Sequence, residues 1–152
     1  AILWLTLFRD KIDDIMEQVK CPVAVFVNRS YREGALVSFV LGGMIDVFLL
    51  SYLNIMLQNG HSVRLFLFET DDEEFHQCID DLLAHYADQI VVVWFAGVEE
   101  LVTKEKDGLL VMSHLSYTKL SEDELVMREL SSLLVIRRNK NKGEKNERLE
   151  IG

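Results

Sequence analysis

The sequence has little of what marks several classes of protein, and each shortage excludes a class. Positive charge is scarce: the 152 residues carry a net charge of −9, so nucleic acid phosphates and anionic membrane surfaces would both repel the chain. Only two cysteines occur, Cys21 and Cys78, and their separation fits no metal pattern. They predict a reducing compartment and no disulfide. The N-terminus lacks a basic region followed by a long apolar core, and we expect no signal peptide.

A long unbroken apolar run is also missing, although one region comes close to it. Between positions 33 and 64 the only formal charge is Asp46. Gly42 and Gly43 divide this region into a short β-type run and a helical run. The helical run at 44–57 has about 14 residues, too few to cross a hydrocarbon core of about 30 Å. We therefore expect no membrane-spanning helix here.

What the sequence does contain is an alternation of strand and helix patterns. Apolar residues at helical spacing predict an amphipathic helix at 5–19. Apolar or β-branched runs predict strands at 22–27, 35–41, 62–68, 90–95, 109–112 and 133–136, with helical segments at 44–58, 70–88, 98–103 and 121–130. From residue 35 onward this order predicts an α/β fold with a mainly parallel five-stranded sheet and helices on both faces.

Local signals add detail to two of the predicted helices and to one strand. Thr70 with Glu73, and Ser121 with Glu124, have the spacing of capping boxes that begin helices. The run 90–95 is apolar at every position, which is typical of a strand buried on both sides of a parallel sheet.

The two strands at 22–27 and 35–41 follow each other without a helix between them. The segment DIMEQVKCPVAVFVNR has the same pattern as DELVMRELSSLLVIRR: a helix, a short break, a strand and a basic residue. This predicts that residues 1–30 end a preceding repeat and that 35–138 form the main unit. Residues 139–152 are nearly free of apolar side chains and predict a disordered tail. The alternative that stays open is a β-hairpin with the strand at 22–27 on the sheet edge.

The order and spacing of these motifs resemble the universal stress protein fold, which is Rossmann-like. The wording is closer to the cytosolic tails of the second type of monovalent cation:proton antiporters, which carry two such units in tandem. The segments that carry this resemblance are CPVAVFVNR, VSFVLGGMID, VRLFLFE, DGLLVM and SSLLVIRR, and together they cover about residues 15–138. Two features depart from the family pattern. Asn28 stands where aspartate is usual, and the helix at 44–57 is more apolar than its counterpart.

The resemblance implies a non-catalytic regulatory or dimerisation domain of a membrane antiporter that exchanges K⁺ or Na⁺ for protons. The domain would lie at the cytosolic face of a membrane. Its partners would be the transmembrane part of the transporter and a second copy or tandem repeat, with no nucleic acid. The surplus of apolar residues on the helix at 44–57 makes Val47, Leu50 and Leu57 the predicted interface.

A free-standing stress-type protein that binds a nucleotide or small anion is one alternative. Gly42 and Gly43 lie between a strand and a helix, where an anion could bind. Nucleotide-binding universal stress proteins carry a glycine-rich phosphate loop after the fourth strand, and the corresponding segment, MSHLSYTKLSEDELVMRELSS, contains no glycine. We therefore expect no nucleotide and no other cofactor.

A small α/β enzyme is the other alternative, since His114 lies with Ser113 and Ser116 just after a predicted strand. No glycine-bordered nucleophile turn accompanies them, so we expect no enzyme activity.

The helix at 70–88 carries a weak candidate for a metal site. Asp72, His76 and Asp80 lie at i, i+4 and i+8 on one helix face, a spacing that could surround a divalent metal. A solvated acidic face accounts for the same residues and is far commoner, so we expect no metal. The surplus of acidic residues on this helix is compatible with docking to a basic partner.

Overall fold

A computed structural model of the chain describes residues 2–4, 17 and 23–138, with only the backbone described at 2–4. The strands are β1 (Ile2–Trp4), β2 (Val23–Val27), β3 (Val37–Leu41), β4 (Val63–Phe68), β5 (Ile90–Phe95), β6 (Leu109–Ser113) and β7 (Ser132–Arg137). The helices are α1 (Leu50–Gln58), α2 (Glu73–Tyr86), α3 (His114–Leu120) and α4 (Glu124–Glu129), with 3-10 turns at Met44–Leu49, Ala87–Gln89 and Val98–Leu101. Apart from Glu17, the helix predicted at 5–19 lies outside the described residues, as does the tail predicted at 139–152.

The described strands form one sheet in the order β1-β2-β7-β6-β3-β4-β5. Every neighbouring pair is parallel except β2 with β7. The predicted α/β architecture with a mostly parallel sheet is therefore confirmed. The chain runs from β3 outward to β5 on one side, then returns to β6 and β7 on the other side. The carboxyl ends of these five strands consequently meet at one edge of the sheet, and the direction of winding reverses between β3 and β6.

The junction between β2 and β7 decides where the N-terminal strand belongs. The two strands pair antiparallel over five residue pairs, with Val25 opposite Val135 at the centre. The neighbours of β2 in the sheet are β1 and β7, so the hairpin alternative for β2 and β3 is wrong. Val25 and Val135 are both fully buried. The strand at 23–27 is therefore an interior strand of the described sheet.

Apolar side chains on the two faces of the sheet form two separate cores. Because successive strand residues point to opposite faces, Val40 belongs to the core with α3 and α4, and its neighbours Phe39 and Leu41 belong to the core with α1 and α2. Helices thus cover both faces. Within the described residues, no helix is both long enough and apolar enough to cross a membrane.

The strand at 90–95 was predicted to be buried on both sides, and this is wrong. β5 is the outermost strand beside β4, and its Val91 side chain is 63% exposed. An unbroken apolar run identifies a strand but does not state how many neighbours the strand has.

Helix starts differ from the prediction at three places. Residues 44–49 form a 3-10 turn before α1, rather than the first turns of one long helix. The N-cap of α2 is Asp72 instead of Thr70, and the N-cap of α4 is Asp123 instead of Ser121. Aspartate accepts the same capping hydrogen bonds as serine and threonine, so the pattern alone did not separate them. The short helix α3 was not predicted.

Replacing Gly108 with alanine should lower the free energy of unfolding by about 1–3 kcal/mol, the usual cost of overpacking a rigid site. A Cβ atom at Gly108 would lie 2.8 Å from the backbone oxygen of Leu36, which also accepts the N–H of Leu109. Backbone held by a sheet cannot move away cheaply. Urea denaturation of the variant measures the loss.

Gly97→Ala is the matched control. A Cβ atom there would meet only the end of the Glu99 side chain, which is exposed and can rotate away. Equal stability losses in the two variants would contradict the explanation by a backbone clash.

Candidate functional site

A cavity of about 150 Å³ opens at the carboxyl edge of the sheet, where the winding reverses between β3 and β6. Open α/β sheets bind their ligands at this position. The wall is mainly apolar, and its large side chains come from strands and helical segments on one face of the sheet: Phe68, Phe95, Leu101, Met112 and Leu115. Its polar members include Asp46, Ser116 and Lys119. We call this space the Asp46 cavity.

Asp46 is held in place by the turn that follows β3. Gly43 has a φ of +148°, a conformation that favours glycine, and its carbonyl accepts the N–H of Asp46 at 3.0 Å. The resulting 3-10 turn directs the carboxylate back toward the strand end. There Oδ2 accepts the N–H of Gly42 at 2.6 Å and the hydroxyl of Ser116 at 2.8 Å. The carboxylate therefore ties the end of β3 to helix α3.

The other carboxylate oxygen, Oδ1, is buried and has no hydrogen-bond partner. The whole residue is only 1% exposed. A buried polar atom without a partner is costly, and folded proteins have few of them. Asp46 is thus an acidic residue on a mostly apolar cavity wall with one acceptor oxygen left over.

The rim of the Asp46 cavity is unusually apolar for a surface. Ile45, Phe68 and Leu115 are large hydrophobic side chains that remain exposed, and all three line this cavity. Apolar side chains gathered around one opening are typical of a binding site rather than of ordinary surface. Lys119, near the end of α3, is exposed and is the one cationic side chain among the described residues of the lining.

Gly42 and Gly43, the predicted anion site, lie beside this cavity. The N–H of Gly42 donates to Oδ2 of Asp46, so this amide is already used by a carboxylate of the same chain. That carboxylate also repels an approaching anion. Anion binding here stays a prediction, and the observed geometry does not favour it.

The predicted Ser–His group is committed to other contacts. The Ser113 hydroxyl accepts the N–H of Ser116 at 3.1 Å and caps α3. The hydroxyl of Ser116 donates to Asp46 and not to His114. The ring of His114 stacks on Tyr117 with a centroid distance of 6.5 Å. The two serines therefore help to position α3 and Asp46.

The three residues of the weak metal candidate do not converge. Asp72 caps α2 by accepting the N–H groups of Glu74 and Phe75. Nε2 of His76 lies 2.8 Å from the carbonyl oxygen of Thr70, and the ring stacks on Trp94. Among the described residues, no three histidine, cysteine or acidic side chains form a group that could hold a metal ion.

The predicted interface residues have different environments. Leu57 is 2% exposed and lies in the core shared with α2, so its prediction as an interface residue is corrected: the residue is occupied by packing inside its own chain. Val47 and Leu50 are half-buried, and their role in an interface stays a prediction. On the same segment the exposed large side chains are Ile45, Tyr52 and Ile55.

Sequence reasoning noted Asp46 only as an interruption of an apolar region. A signal for its importance was nevertheless present. It is the only charged residue between positions 33 and 64, and it lies three residues after Gly43 in a helical pattern. Because burial of an ionised carboxylate is expensive, a lone acid in such a region deserves a functional explanation.

Comparison with known proteins adds no relative to this description, since no protein-family model and no curated protein matches the chain.

Proposed function

We propose that this chain is a non-catalytic regulatory domain of a membrane antiporter that exchanges K⁺ or Na⁺ for protons, placed at the cytosolic face of the membrane. In this proposal residues 35–138 form a universal-stress-protein-like unit. Residues 1–30 are the end of a preceding unit, so that two units share one sheet. The antiparallel junction between β2 and β7 is the observation that carries the proposal.

The junction has the form expected where the last strands of two similar units meet. β1 runs parallel beside β2, and β6 runs parallel beside β7. Between these two pairs, β2 and β7 are antiparallel and centred on Val25 and Val135. An approximate twofold axis through that centre exchanges the two pairs of strands. This relation supports the repeat inferred from the two similar sequence segments, and it supports a tandem unit or a second copy as the partner.

The alternatives have less support. A nucleotide or small anion near Gly42 would meet the Asp46 carboxylate, which already accepts that amide. An enzyme that uses Ser116 would need its hydroxyl proton to go to a base that is free to relay it, and it goes to a carboxylate that also holds the end of β3. A regulatory role requires neither group to be available.

Transport by the full-length product of the gene tests the proposal. Purified protein in proteoliposomes with a trapped pH-sensitive dye should exchange K⁺ or Na⁺ for protons. Val25→Asp, which disrupts the β2–β7 junction, should leave exchange present but change its rate or half-activating pH by about fivefold or more, the lower end of typical coupling between sites. Val91→Asp, an exposed valine of β5, is the control and should transport like the wild type.

Three results would overturn the proposal. The full-length protein could show no cation:proton exchange. The Val25→Asp variant could transport with unchanged rate and pH dependence, which would leave the domain without a regulatory effect. It could also lose exchange completely while the transporter remains inserted, which would make the domain part of the transport path.

A further inference from the structure

We propose that the Asp46 cavity binds a small molecule that combines a compact apolar body with an ammonium group, and that this ammonium pairs with Oδ1 of Asp46. The inference rests on the cavity alone. It holds whether or not the chain belongs to a transporter.

The hydrogen bonds of Asp46 define the polar end of the ligand. Oδ2 already accepts two donors, from Gly42 and Ser116, whereas Oδ1 accepts none. An ionised carboxylate can only accept, so its partner has to be a donor. Inside a cavity of low polarity, a cationic N–H donor forms a stronger hydrogen bond than a neutral one. An anionic ligand would be repelled by the same group.

The wall of the cavity defines the rest of the ligand. Its large side chains are apolar or aromatic, including Phe68, Phe95, Leu101 and Met112. The volume of about 150 Å³ equals that of an engineered apolar cavity that holds benzene. The apolar body is therefore about the size of a six-membered ring.

The ligand has to uncover Oδ1, because this atom is shielded from solvent. Two rim residues, Ile45 and Leu115, are each more than half exposed. Such side chains have few packing contacts to lose when they rotate. An entering ring would replace the contacts that they make at the mouth, and its ammonium would supply the missing partner of Asp46.

An apolar amine and an apolar α-amino acid share this chemistry, and Lys119 distinguishes them. The ammonium group of Lys119 is the one cation among the described lining residues, and it could pair with the carboxylate of an amino acid. A simple amine has no such group. An amino acid should therefore depend on both Asp46 and Lys119, and an amine on Asp46 alone.

Calorimetric titration with three probes tests the proposal: 2-phenylethylamine, L-phenylalanine and 3-phenylpropionate. At least one of the two ammonium compounds should bind, and 3-phenylpropionate, which has the same ring without the ammonium, should not. Asp46→Asn should weaken binding by about tenfold or more, which is about 1.4 kcal/mol. Asp88→Asn removes one negative charge from an exposed position and should leave binding unchanged.

Asp46→Asn should fold, because an amide can still accept from Gly42 and Ser116 while the unpaired buried charge is removed. A second variant keeps the test decisive if it does not. Leu115→Trp changes an exposed rim residue to a larger ring that fills the mouth, and it should also abolish binding. In the wild type, the amide NMR signals of Gly42 and Ser116 should shift on titration.

The possible outcomes separate clearly. Tighter binding of L-phenylalanine that disappears in Lys119→Met supports the site and identifies an amino acid as its ligand. Tighter binding of 2-phenylethylamine that is insensitive to Lys119→Met supports the site and identifies an amine. The proposal is overturned if neither ammonium probe binds at millimolar concentration, if 3-phenylpropionate binds equally well, or if Asp46→Asn folds and still binds.

Discussion

Replacing Val25 with aspartate should lower the free energy of unfolding by at least about 4 kcal/mol, among the largest effects of a single substitution. Val25 is fully buried at the centre of β2, opposite Val135 of β7. The variant loses the burial of an apolar side chain and places an unpaired carboxylate in the core. Domains of this size have about 5–15 kcal/mol in total, so most of the stability would be lost.

Urea denaturation followed by far-UV circular dichroism measures this effect. Val91→Asp is the matched control, since it makes the same substitution within a strand at a position that is 63% exposed. It should change the free energy of unfolding by less than about 1 kcal/mol. A mild effect of Val25→Asp, or effects of equal size, would mean that β2 is not an interior strand and that the sheet ends at β7.

Replacing Arg29 with methionine should lower the free energy of unfolding by about 2–3 kcal/mol, the range for hydrogen bonds to a charged group. The Arg29 guanidinium donates to the backbone oxygens of Met127 and Leu130. These carbonyls lie in the last turn of α4 and just beyond it, where no helical partner remains and where a positive charge is favourable. Methionine keeps most of the aliphatic stem and removes only the donors.

Arg32→Met is the control for loss of a positive charge. Arg32 pairs with Asp107 at 2.6 Å, but its side chain is largely exposed. Exposed ion pairs contribute about 0–1 kcal/mol, so this variant should denature close to the wild type. If the two variants lose equal stability, then Arg29 does not hold the end of α4 against the segment that follows β2.

Local sequence pattern was sufficient for most of the elements between positions 35 and 138. The runs that became β3, β4, β6 and β7 alternate with helical patterns, and the period of apolar residues depends only on neighbours in the chain. The same locality explains the misses. A capping pattern did not distinguish Thr70 from Asp72, and the short α3 has no strong apolar period of its own.

The candidate site was harder to predict because its parts are distant in sequence. Asp46 was visible as a lone acid, but one of its partners, Ser116, is 70 residues away. That serine lies on α3, a helix that the pattern did not predict. The apolar wall includes Phe68, Phe95 and Met112, each of which reads as an ordinary strand residue. Their common cavity exists only because three strands end at one edge of the sheet.

By itself, then, the sequence determined the succession of strands and helices, the α/β class and the unusual position of one acid in an apolar region. These follow from side-chain period and from the cost of burying charge. Tertiary structure alone decided that β2 pairs with β7 and not with β3, that the apolar β5 lies at the edge, and that Oδ1 of Asp46 is left without a partner. Strand pairing joins residues that are more than a hundred positions apart, and a local pattern records that a strand is apolar without recording which strand it pairs with.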